Sequence, residues 1–467
     1  MGFPCLSEGY SLSLHYQKKY KNMGRTNRII HLLPAILLIS SLSTFPAGGQ
    51  SYKMLIEENP DRAGGVYHYY EYSPTAVTKA PKGYKPFYIS HYGRHGSRYH
   101  TSAGAFKGSV DVLRKANEKG LLTEEGRMLK RQIDTLWEEH QGMFGMLTER
   151  GGVEHRGIGS RMLGNYPSVF KGGRTEVECV SSYWPRCLVS MANCAAALQE
   201  GAKGLHFHYV TGPKYLDYIS MDLDTEEVRK GSSALRKHLR DSLLDCSRFL
   251  CAIFTDTAWV AKVVEPAALV ENIYVAGSIC PNTLASPAIF SHFTTEELIA
   301  LWIARNDSFY RSYGISAEAG EYMSAIAKPL IEDIVAKADA AIESGSDRAA
   351  DLRFGHDVGL LPLVGTIGIK GMEERMKSDG VHDRWLLFQM MPMASNLQMI
   401  FFRNKKGDVL VKLQYNDKET SLPRLGEGPY YKWPDLRAYL LETAAAIPDD
   451  LIVKDDGEVE RTGVKKG

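Results

Sequence analysis

The stretch Arg94-His95-Gly96-Ser97-Arg98 sets two guanidinium groups on either side of an imidazole, with a glycine in the turn. Two arginines held that close repel one another unless an anion neutralises them. A planar guanidinium fork also fits phosphate oxygens better than an ammonium does. Flanking cations disfavour protonation of His95, so its ring stays neutral and nucleophilic in mildly acid solution. Such an imidazole can attack a phosphoryl group and carry it as a covalent intermediate. Gly96 lets the backbone come close to what is bound.

Two further places suit the same chemistry. Arg186, in "SSYWPRCLVSM", follows a strand pattern and opens a helix, where amide groups and the dipole favour an anion. His356 and Asp357, in "RFGHDVGLLPL", also follow a strand pattern. His356 can hold a phosphate oxygen. Asp357 has a bland role as a helix cap. A substrate phosphate facing it would push its carboxyl toward the protonated form, which suits a general acid serving the departing alkoxide. Together these residues supply an attacking nitrogen, fixed positive charge and an acid, which is what phosphoryl transfer requires. No aspartate-rich metal cluster is visible and the cysteine spacing is not that of a zinc site. The expectation is a reaction without metal or cofactor.

Three strand–turn–helix units must position these groups. The first is a strand over 85–90 with a polar helix over 103–119. The second is a strand over 176–182 with a helix over 186–200, closed by Gly201. The third is a strand through Phe354, turning at Gly355 into an apolar helix. Charged residues at the carboxyl ends of such strands predict an α/β fold: a three-layer core with a mixed, mostly parallel sheet between helices. The organisation read from the sequence is core over 50–204, with a helical excursion near 120–165, an α-rich cap over 205–345, and core again over 346–467. That last part carries a hairpin turning at Lys406-Gly407-Asp408 and a helix from about Pro434. Thr294 or Thr295 is the expected N-cap of an amphipathic helix reaching 314.

Residues 1–49 have the layout of a secretory signal peptide. A basic stretch, with the true start possibly at Met23, precedes an apolar run near 29–42, and small residues follow at 47–49. The run is too short, and too interrupted by His31 and Pro34, to predict a stable membrane span. Export to a periplasm or the outside is expected. Those 49 residues hold five Lys/Arg and one acid, so the remainder of a chain of net charge +1 carries −3. That balance gives no basic field for nucleic acid. Six cysteines beyond Cys5 allow up to three disulfides in an exported chain, and some of them read equally well as buried thiols. Asn306-Asp307-Ser308 is a glycosylation sequon by pattern. Arg150, His155, Arg156, Arg161, Arg305 and Arg311 could grip further phosphates, but each alone reads as a solvated helix face.

The combination of "RHGSR" with a distant "HD" after a strand resembles the histidine acid phosphatase branch of the histidine phosphatase superfamily. "MLTERGGVEHRGIGSRM", "SSYWPRCLVSMANCAAAL" and "NLQMIFFRNKKGDVLVKLQYNDKETSLP" extend the resemblance over most of the chain, the last toward the multiple inositol polyphosphate phosphatases, while Asp357 is similar to the donor of the acid phosphatases and phytases. The resemblance implies that His95 is the nucleophile and becomes phosphohistidine. It implies that Arg94, Arg98, Arg186 and His356 bind the transferring phosphoryl group, and that Asp357 donates the proton. Two positions depart from the pattern. His100, after Tyr99, stands where a proline is usual, and His356-Asp357-Val358 stands where the inositol polyphosphate group carries His-Ala-Glu. The expected partner is a small phosphate ester, an inositol polyphosphate first, and a broad range of small monoesters as the alternative. A non-catalytic phosphate-ester binder needs the arginines but not a nucleophile paired with an acid. A mutase-like transferase shares the R-H-G core but does not fit an export signal.

Overall fold

The structure is a computed structural model that describes residues 51–215 and 226–451. The expected export segment lies outside the described residues. Along the chain the longer helices are α1 (Gly104–Glu118), α2 (Glu124–His140), α3 (Glu149–Asn165), α4 (Pro185–Gly201) and α5 (Glu226–Leu243). They continue with α6 (Pro266–Ile279), α7 (Thr295–Tyr313), α8 (Gly320–Ile342), α9 (Asp357–Thr366) and α10 (Trp433–Ala445). The strands are β1 (Lys85–Arg94), β2 (Glu176–Ser181), β3 (His206–Thr211), β4 (Arg348–Gly355), β5 (Asn396–Arg403), β6 (Val409–Tyr415), β7 (Lys418–Thr420) and β8 (Tyr430–Lys432).

The strands form one sheet in the order β3-β2-β4-β1-β5-β6-β7, with β8 also paired to β6. The first four run parallel and the rest are antiparallel. β4 is buried over almost its whole length, as a central parallel strand covered on both faces must be. It lies between β1 and β2, with Arg94 opposite Gly355 and Ser181 opposite Phe354. The carboxyl ends of β1, β4 and β2 therefore end level on one edge, where ligands bind in open α/β sheets.

Three apolar clusters follow. One joins α8, α9 and α10 to the sheet through Leu330, Leu360 and Leu436. A second packs α3 and α4 on the sheet through Met162, Cys194 and Leu198. A third is helical throughout, built from Phe106, Leu129, Ile273 and Trp302 on α1, α2, α6 and α7. The layers agree with the sequence reading, but the segments differ. β3 joins the sheet although it falls inside the segment expected to be cap, and α8 packs on the sheet. α1 belongs to the helical cluster rather than to the core, as α2 does within the expected excursion, whereas α3 from that excursion packs on the sheet. Helical periodicity marks an apolar stripe without saying which partner covers it, and β3 is an edge strand with little burial to signal it.

Thr294 caps α7 in a capping box with Glu297, as expected. The hairpin turn after Arg403 has Gly407 at φ 90°, a conformation glycine adopts without strain. The disulfide expectation is not met: Cys179, Cys187, Cys194, Cys246, Cys251 and Cys280 are free. Cys187 and Cys194 lie on one helix, and their thiols are buried inside the fold, that of Cys187 donating to the Gly355 carbonyl and that of Cys280 to the Ala276 carbonyl. The sequon is also closed, since Asn306 is fully buried and its amide donates to the Trp385 carbonyl at 3.0 Å.

Candidate active site

β1 delivers the first arginine. Arg94 is fully buried, and its Nη1 donates to the carbonyls of Val66 at 2.9 Å and Met391 at 2.8 Å. Its Nη2 lies 3.1 Å from Asp357 Oδ2. The chain then turns, with the His95 amide donating to the Gly355 carbonyl at 2.9 Å. His95 Nδ1 lies 2.9 Å from the Gly96 carbonyl oxygen. A carbonyl only accepts, so the ring proton sits on Nδ1 and Nε2 keeps its lone pair. Burial, then Arg186, Arg94 and Arg98, hold the ring's pKa well below the ordinary value, so it is neutral.

The turn is pressed against the start of α3. A Cβ on Gly96 would sit 2.5 Å from the Gly151 carbonyl oxygen, and one on Gly151 would sit 2.2 Å from that of Ser97. Only two glycines let these backbones meet. Arg98 follows, its Nη1 donating to the Tyr99 carbonyl at 3.0 Å and its guanidinium lying 5.4 Å from the centre of the Tyr67 ring.

The other two turns close the site. Arg186, next after Pro185 in the first turn of α4, donates from Nη2 to His356 Nδ1 at 3.3 Å. His356 therefore carries its proton on Nε2 and donates it to Ser182 Oγ at 3.0 Å. Burial, then Arg186, push its pKa down to about 3. The His95 and His356 rings meet edge to face, 5.5 Å between centres. Asp357 begins α9, and its Oδ1 accepts the Val358 amide at 3.1 Å. Burial alone would raise its carboxyl, but Arg94, Arg98 and His356 outweigh it and hold it below the usual range. Without a ligand Asp357 is thus a carboxylate, and the shift toward an acid expected from a facing phosphate belongs to the occupied site.

All six residues singled out in the sequence come together here. The others do not join them. His155 is buried, with Nε2 donating to the Arg94 carbonyl at 3.1 Å. Arg156 pairs with Glu200, Arg161 with Asp417 and Arg311 with Glu318. Arg150 lies 4.5 Å from the centre of the Tyr69 ring. His100 is buried rather than at the rim, with Nε2 3.0 Å from Tyr67 Oη, and burial and Arg98 push its pKa down to about 3.

Arg305 lies elsewhere, in a cavity of about 220 Å³ between α5, α7 and residues 64–66. Arg229 and Arg236 line it too. Arg236 and Arg305 share Glu271, at 3.5 and 3.2 Å, which leaves this wall positive. None of the six site residues lines the cavity, but Val66 does, and its carbonyl holds Arg94. Residues 64–70 were not singled out in the sequence. They act through a backbone carbonyl and the face of Tyr67, and nothing in residue type marks a carbonyl at the end of a kinked 3₁₀ helix.

No protein-family model matches the sequence, and no curated protein matches it. Its fold matches solved structures. The multiple inositol polyphosphate phosphatase of Bifidobacterium longum, in complex with inositol hexasulfate, has a TM-score of 0.64 and 18% identity, over 84% of this chain and 99% of that one. The phytase of D. castellii has a TM-score of 0.63 and 14% identity, over 83% of this chain and 85% of that one. The apo Hafnia alvei phytase has a TM-score of 0.50 and 12% identity, over 79% and 100%. With its switch-point turns, mixed sheet and separate helical cluster, the chain has the fold of the multiple inositol polyphosphate phosphatase and phytase structures.

Proposed function

We propose that this chain is an exported phosphomonoesterase that hydrolyses inositol polyphosphates through a phosphohistidine. The observation that carries this reading is the His95 ring itself, neutral, with its free lone pair on Nε2 beside Arg94, Arg98 and Arg186. A surface basic turn has no use for that tautomer. In the first half-reaction Nε2 bonds to phosphorus, the ester P–O bond breaks, and protonated Asp357 gives its proton to the departing alkoxide. The arginines and His356 hold the three equatorial oxygens as charge spreads over them. A bound dianionic phosphate opposes the Asp357 carboxylate and occupies the arginines that keep it ionised, which brings the acid form into range. In the second half-reaction water attacks phosphorus, Asp357 takes its proton, and phosphate leaves with His95 again neutral.

The substrate preference rests on the neighbouring cavity. A positive wall of arginines suits an ester that carries further phosphates, and an apolar one would not. The fold likeness to proteins named as inositol polyphosphate phosphatase and phytase supports the same choice. The test is phosphate release from phytate and from an aryl phosphate, with chelator present, by the wild type and His95→Ala. Release from both that disappears in the mutant is expected, with kcat/KM the higher for phytate. Release that survives in His95→Ala would remove the phosphohistidine. A higher kcat/KM for the aryl ester would make the protein a general acid phosphatase.

A further inference from the structure

Four residues on one face of α3 and its cap grip the turn that carries His95. Thr148, Gly151, Glu154 and His155 are spaced as neighbours on a helix surface. Thr148 donates from Oγ1 to the Ser97 carbonyl at 2.9 Å, Gly151 admits the close approach, and His155 holds the Arg94 carbonyl. Glu154 does the most. Its Oε2 accepts the Ser97 amide at 2.7 Å, and its Oε1 accepts both Ser97 Oγ at 2.7 Å and the Tyr70 amide at 3.1 Å. One carboxylate thus joins three separate pieces: the catalytic turn, α3, and the segment 64–70. That segment holds Arg94 through the Val66 carbonyl and backs Arg98 with the Tyr67 ring.

We propose that Glu154 is a positioning residue that sets the spacing of Arg94 and Arg98 for an incoming phosphate. The inference rests on reading the site as a phosphate centre. Glu154 takes no part in proton transfer and need not touch substrate. It acts by fixing Ser97, which lies next to Arg98 in the chain, relative to the segment on which both guanidiniums rest. Hydrogen bonds to a charged acceptor are the strong kind, and no water need replace them while the clamp is shut. Burial raises the pKa of Glu154, opposed by the hydrogen bonds from Ser97 and Tyr70 and by the charge of Arg150, and its carboxylate lies within electrostatic reach of Arg94.

The experiment compares wild type, Glu154→Ala and Glu154→Gln for kcat, KM and the inhibition constant of inorganic phosphate, with an aryl and an alkyl phosphate as substrates. Glu154→Ala is expected to weaken phosphate binding and kcat/KM by about tenfold or more. The loss should be the same for both leaving groups, because the clamp is indifferent to the proton step. Glu154→Gln keeps the shape but sets its NH2 group against either the Ser97 or the Tyr70 amide, so it should weaken phosphate binding in the same direction as Glu154→Ala. A purely structural role predicts a lower melting temperature with kcat/KM and the phosphate constant unchanged per folded molecule, and that result would overturn the proposal. If Glu154→Ala does not fold, Glu154→Gln and Ser97→Ala carry the test, each expected to weaken phosphate binding in the same direction. Were the wild type to show no turnover, calorimetric titration with inorganic phosphate would still read the clamp, separately from the hydrolytic reading.

Discussion

Asp357 is held in two opposing ways. Arg94 at 3.1 Å keeps it ionised, yet the proposed chemistry needs its proton. Only a leaving group that cannot depart as an anion depends on that proton, so Asp357→Asn should slow alkyl phosphates by about 10²- to 10⁴-fold and activated aryl phosphates far less. Equal losses would remove Asp357 from the role of acid. Arg236 gives a separate prediction. It lines the cavity and shares Glu271 with Arg305, and none of the six site residues lines that cavity. Arg236→Ala is expected to lower kcat/KM for phytate about tenfold while leaving that for an aryl phosphate nearly unchanged, and a parallel fall in both would take the cavity out of substrate recognition.

At the scale of elements, the site depends on turns whose backbones touch. The contact of Gly96 with Gly151 has no space for a methyl group, and its neighbours are backbone atoms rather than yielding side chains. Gly96→Ala should destabilise the protein by roughly 1–3 kcal/mol, measured by urea unfolding, and should lose activity out of proportion because His95 shifts with the turn. Retained activity at wild-type stability would show that the contact relaxes. The six residues of the site were legible because each sits where a strand pattern gives way to a helix pattern, and such junctions fall on one edge of a parallel sheet. The clamp and the 64–70 segment were not legible, since a backbone carbonyl, a ring face and a carboxylate on an ordinary helix carry no signature of type. β3 falls in the segment expected to be cap, and as an edge strand exposed along most of its length it has no buried stripe to mark it.

At the scale of the molecule, burial has consequences for acid stability. His91, His100 and His356 have pKa values pushed down to about 3, and His155 to about 4, with burial the leading cause in each. In the unfolded chain they take up protons near the ordinary value, so stability present above that value is lost as pH falls toward the folded values. Each group contributes a slope of about 1.4 kcal/mol per pH unit in that window. Urea midpoints should therefore fall steeply between pH 6.5 and 4, and added phosphate should restore part of the loss by binding the folded state. A flat profile over that range would mean that these rings meet water or a partner when acidified.

The strand order has a different consequence. β1 and β2 do not touch; β4 separates them, and it begins at Arg348, more than two hundred residues after β1 ends at Arg94. While the chain emerges from the ribosome, His95 and Arg186 are both made long before the strand that brings them level. Until β4 inserts, two apolar strands each lack a neighbour, a state that favours capture by chaperones and edge-to-edge aggregation. Assembly of the edge that carries the candidate site is thus a late step of biosynthesis, governed by a long-range pairing of the slow kind. A chain halted before Arg348 would carry His95 and the three arginines without the strand that sets β1 level with β2.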